Sequence, residues 1–84
     1  MKSKQEIYNN TVELIEKQEK ENYLVYYKVF LENSSRHDMT TEEKEAIINQ
    51  AYETYKKQSE ELEEIRELAY LDLVADNNGY NQAI

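Results

Sequence analysis

Tyr23-Leu24-Val25-Tyr26-Tyr27-Lys28-Val29-Phe30-Leu31 is the stretch whose reading decides the fold. It is dense in aromatic and β-branched residues, which favour strands. A strand needs a second run to pair with, since an isolated one leaves its backbone N–H and C=O groups unsatisfied. The sequence offers none: on either side it is dominated by Glu, Lys, Gln and Ala, all compatible with helix. The stretch therefore reads as helix, with an edge strand as the local alternative.

Working outward, Tyr8, Val12, Ile15, Glu19, Tyr23, Tyr26 and Phe30 recur at steps of three and four, the line of an amphipathic helix. A second line runs through Ile47, Ala51, Tyr55, Gln58, Leu62, Ile65, Ala69 and Leu73. Each helix opens on a capping box, Ser3-Lys4-Gln5-Glu6 and Thr40-Thr41-Glu42-Glu43, with a hydroxyl at the cap and a carboxylate three residues on. Between them, Asn33-Ser34-Ser35-Arg36-His37-Asp38-Met39 is rich in side chains that compete for backbone hydrogen bonds, so it reads as the connection. Polar Glu16 to Asn22 leaves room for a bend near Asn22. Asn77-Asn78-Gly79 is a helix-stop signal. The expected organisation is one domain: a helix over 3–32, a loop over 33–40, a helix over 41–75 and a frayed tail over 76–84.

The expected fold class is all-α, a small antiparallel helical hairpin or three-helix bundle completed by dimerisation. Dimerisation is expected because two segments are apolar on too many sides: Tyr23 to Leu31, and Leu68-Ala69-Tyr70-Leu71-Asp72-Leu73-Val74. A helix apolar all round is buried all round. Leu71 and Val74 fall on the face that carries glutamates earlier in the second helix, which makes them the candidate self-association residues.

Composition narrows the function. Within 84 residues the chain carries 18 Asp plus Glu, 10 Lys plus Arg, one His and no Cys, for a formal net charge of -8. Such a charge repels nucleic acid and anionic lipid and attracts basic protein surfaces, so no direct nucleic-acid binding is expected. Absent Cys and a second His, thiolate and multi-histidine metal sites are excluded within one chain. Neither a signal-like apolar segment at the start nor an apolar run of membrane length is present, so the expected location is the cytoplasm, away from the membrane. His37 beside Asp38 stands in a polar loop without a nucleophile elbow or a phosphate-cradling Gly-rich loop. No enzyme and no cofactor are expected.

Two features suit binding. Glu53, Glu60, Glu64 and Glu67 share a narrow sector opposite Leu62 and Ile65, a negative ridge able to imitate the phosphates that a nucleic-acid-binding partner grips. The plain alternative is a solvated helix face, partly balanced by Lys57 one turn after Glu53. Eight Tyr against one Phe and no Trp is the other feature. A buried phenol needs a hydrogen-bond partner, whereas at an interface the ring is covered and the hydroxyl meets the rim. Tyr8, Tyr23, Tyr26 and Tyr55 lie on the core lines, while Tyr27 and Tyr70 lie off them and are the tyrosines expected to meet a partner. The sequence thus points to a non-enzymatic acidic helical binding protein, an inhibitor that occupies a basic, nucleic-acid-binding surface of another protein, with a homo-oligomeric structural or assembly protein built from coiled-coil-like helices as the alternative.

Overall fold

A computed structural model describes residues 2–82, with side chains over 2–75. It contains two α-helices, α1 (Lys4–Ser34) and α2 (Thr41–Gln82), and no strand among the described residues. The helices pack antiparallel as a hairpin, and residues 23–31 lie wholly within α1, which runs unbroken past Asn22. The helical reading of the aromatic stretch therefore holds. The element α2 extends beyond Ala75, where its end was expected. The side chains of the expected tail over 76–84 lie outside the described residues.

Local chemistry fixes both helix starts. Ser3 Oγ accepts the Glu6 backbone N–H at 3.1 Å. Thr40 Oγ1 accepts the Glu43 N–H at 3.1 Å and donates to the Glu43 carboxylate at 3.1 Å. The two hydroxyl acceptors each satisfy a backbone N–H that the first turn of a helix leaves without an intrahelical partner, and the Glu43 carboxylate holds the Thr40 hydroxyl in place. The end of α1 is closed by its own side chains: Asn33 Nδ2 donates to the Val29 carbonyl at 2.8 Å, and Ser35 Oγ donates to the Leu31 carbonyl at 3.0 Å. In the loop, Arg36 grips Asp38 through two bonds, Nε to Oδ1 at 3.0 Å and Nη2 to Oδ2 at 2.8 Å.

The contact seam differs from the expected lines by one position at several turns. On α1 it passes through Tyr8, Val12, Ile15, Glu19, Asn22, Tyr26, Val29 and Asn33, the three-four alternation of a heptad. Tyr23 and Phe30, expected on the line, lie beside it and are exposed. On α2 the seam runs through Lys44, Ile48, Ala51, Tyr55, Ser59, Leu62, Arg66, Ala69 and Leu73, so Ile47, Gln58 and Ile65 are displaced to the flank. The physical reason is the period: a seam that stays against one neighbour repeats every 3.5 residues. The apolar residues are plentiful enough to sustain either line.

The outcome is a rod with a thin core. Its principal extents are 68 × 22 × 10 Å, and its radius of gyration is 19.3 Å, against about 12 Å for a compact domain of this length. Solvent-accessible surface is 6923 Å², against roughly 5,300 Å² for a globular monomer of this mass. Ile15, 4% exposed, is the single buried apolar side chain among the described residues. The hairpin hides a narrow seam and leaves two broad flanks in water.

Candidate functional site

Both flanks of the seam carry large apolar side chains. On one flank, at the loop-side half of the rod, six rings form a continuous array. Phe30 stacks on Tyr27 at 6.0 Å between centroids, and Tyr27 stacks on Tyr23 at 5.9 Å. Tyr23 meets Tyr55 of α2 edge-on at 6.0 Å; Tyr55 stacks on Tyr26 at 5.7 Å; Tyr26 meets Tyr52 edge-on at 5.9 Å. These are the separations at which ring quadrupoles attract. Tyr26 and Tyr55 are half-buried on the seam, while Tyr23, Tyr27, Phe30 and Tyr52 remain exposed. A tyrosine can hold that position because its ring packs while its hydroxyl stays wet.

Beyond the seam, the aromatic array fixes register. Tyr23 against Tyr55 and Tyr26 against Tyr52 align the loop-side half, and Tyr8 against Tyr70, edge-on at 6.3 Å, aligns the other end. Between these zones Arg66 Nη2 donates to Glu19 Oε1 at 2.7 Å across the helices, and Gln18 Nε2 donates to the buried Asn22 at 2.9 Å. Lys4 pairs with Asp72 at 3.1 Å near the open end. A polar layer at seam positions is a device for register, because a slipped pairing leaves its charges and amides facing apolar neighbours.

The expected binding residues are dispersed over this frame. Tyr27 belongs to the aromatic array, whereas Tyr70 sits at the opposite end of the rod with Tyr8. All four ridge glutamates are exposed, yet they fall into two settings. Glu53 and Glu60 line a shallow depression with Lys56 and Lys57, so their charge is locally balanced. Glu64 and Glu67 line another with Leu68 and Leu71, an acidic rim around exposed leucines. Leu71 is exposed and Val74 half-buried.

The ridge hides a larger asymmetry. Residues 20–60, the loop-side half, carry six Lys or Arg and eight Asp or Glu. The remaining residues carry four and ten. Most of the net charge therefore resides at the open end, and the aromatic half is close to neutral. This segregation is legible in the sequence only once the hairpin pairing is known.

Arg36 takes both oxygens of Asp38, holding that carboxyl below the ordinary Asp range through hydrogen bonding first and charge second, so Asp38 is engaged with Arg36 beside His37. Asn33-Ser34-Ser35 has the spacing of a glycosylation acceptor, but Asn33 is buried and its amide nitrogen donates to the Val29 carbonyl. Among the described residues no cluster of three or more His, Cys, Asp or Glu is placed to hold a metal ion. Among them also, no helix is long and apolar enough to cross a membrane. Compared with known proteins, the chain matches no family model, and neither a curated protein nor a solved structure resembles it.

Proposed function

We propose that this chain is a non-enzymatic, acidic helical binding protein that works by occupying a basic surface of another protein. The observation that carries the reading is the pairing of exposed apolar side chains with concentrated negative charge at the open end: Leu68 and Leu71 framed by Glu64 and Glu67. Apolar contact supplies binding energy there, and the surrounding field speeds encounter with cationic partners and rejects anionic ones. A nucleic-acid-binding groove is the partner surface of matching chemistry, which makes inhibition by phosphate imitation the form of action proposed.

Affinity capture from the native host, followed by mass spectrometry, identifies the partner. Reversal of Glu64 and Glu67 to Lys is expected to abolish capture with helicity unchanged, since substitutions at such exposed sites cost within about 0.5 kcal/mol of stability. Reversal of Glu53 and Glu60, which already sit among lysines, is expected to weaken it less. Binding should also fall as salt rises, exposed charges being screened over about 8 Å at physiological ionic strength. Capture that survives the Glu64 and Glu67 reversal contradicts the reading.

The second reading is a homo-oligomeric assembly protein, in which copies of the chain cover one another's flanks. It is favoured by the amount of apolar surface the hairpin leaves open at Tyr23 to Leu31, beyond what the acidic end needs for a partner. The two readings are compatible if different ends of the rod serve them.

A further inference from the structure

The aromatic half carries a second seam on α1. Leu24, Tyr27 and Leu31 follow one another at three and four residues, and Tyr23 and Phe30 lie one step nearer the hairpin partner. Helix α1 thus has two adjacent apolar lines over the same turns, one against α2 and one in water, the pattern of a helix with two neighbours. Leu24 is 63% exposed and Tyr27 42%, with Leu31, Tyr23, Phe30 and Tyr52 comparably open.

We propose that a second copy of this chain covers this seam, α1 against α1 in antiparallel orientation, to give a four-helix dimer. The sequence along the seam is self-complementary under a two-fold axis: with the axis between Tyr27 and Lys28, Leu24 of each copy meets Leu31 of the other, as an isologous contact requires. At about 200 Å² for a large side chain, the five open residues of α1 offer roughly 480 Å² per copy, more than half of the roughly 800 Å² a standard interface takes from each partner. Side chains beside the seam supply the remainder.

Charge selects this face over the alternatives. Two chains of net charge -8 repel, and a contact through Leu71 and Val74 brings both acidic ends together. Antiparallel contact at Tyr27 overlaps the near-neutral halves instead and sends the acidic ends in opposite directions. With a helical rise of about 1.5 Å per residue, those ends lie tens of ångströms apart, several screening lengths at physiological salt. The dimer then presents Glu64, Glu67, Leu68 and Leu71 at each end. This assembly rests on the second reading above and leaves the acidic end free for the first.

Sedimentation of the whole chain alone, from about 1 to 200 micromolar, is the test, because a dimer is populated according to protomer concentration. The expected species has twice the 10.1 kDa chain mass. Leu24→Glu with Leu31→Glu should weaken it by about a hundredfold or more, the scale of two central contacts, at unchanged circular dichroism. Leu71→Glu should leave it intact, and added salt should strengthen it or leave it unchanged by screening the mutual repulsion. A chain monomeric throughout overturns the proposal together with self-assembly itself. A dimer that Leu71→Glu disperses and the Leu24/Leu31 variant does not, or that salt dissolves, overturns the proposed face alone. Neither outcome touches the basic-partner reading, which capture tests separately.

Discussion

Ile15 shows how little this fold has to stand on. It is the one buried apolar side chain among the described residues, flanked along the seam by Val12 and Glu19. Truncation there removes buried hydrocarbon that nothing else in a two-helix layer replaces. Ile15→Ala is expected to cost about 2 to 3 kcal/mol, read as a lower midpoint in urea unfolding. Ile65→Ala, at a residue the periodicity placed on the core line but the fold leaves exposed, should cost much less. Asn22 and Arg66 are the converse: polar residues on the seam, kept there by the Gln18 and Glu19 side chains. Sequence periodicity could not find them, because it reads apolarity, and the signal for these two is a partner on another turn or another helix.

At the scale of the element, the capping boxes were the most legible feature. The Ser3 and Thr40 hydroxyls accept the Glu6 and Glu43 N–H groups as their spacing predicts, while the Glu43 carboxylate takes the Thr40 hydroxyl rather than a backbone N–H. Thr40→Ala should lower stability by about 1 kcal/mol, with Thr40→Ser recovering most of it, as measured by thermal or urea unfolding. The loop was legible by composition, and its first residues close α1 through Asn33 and Ser35, so its boundary moved by only a residue or two. What periodicity could not decide was the choice between neighbouring lines, Tyr23 or Asn22, Phe30 or Val29. Apolar residues occupy both lines in the aromatic stretch, and only the facing helix selects one.

The loop pair carries a pH signature. Because Arg36 lowers the Asp38 carboxyl, the pairing favours the folded chain above the ordinary Asp value of about 4 and its contribution is lost as pH falls through the depressed one. Asp38→Asn should therefore unfold more readily than the parent at neutral pH, and the difference between them should vanish in strong acid. A difference that persists there shows that Asp38 acts through something other than its charge.

Over the whole molecule, chemistry is divided along the rod: a near-neutral aromatic half beside the loop, and an acidic half with exposed leucines at the open end. Net charge and tyrosine content announced both ingredients, but their separation depends on which residues the hairpin brings side by side. The glutamate ridge shows the difference. Read as one stripe on a helical wheel, it is two depressions of different character once Lys56 and Lys57, Leu68 and Leu71 take their places.

All of this depends on the chain being an extended two-helix rod whose flanks face outward. Small-angle X-ray scattering, taken in a dilution series and read at the concentration where the chain is monomeric, measures that directly. The expected radius of gyration is near 19.3 Å and the longest dimension near 68 Å. A monomer with a radius of gyration near the roughly 12 Å of a compact domain would contradict the extended rod, since Leu24, Tyr27 and Leu31 would then lie inside a core and neither surface would be available to a second protein.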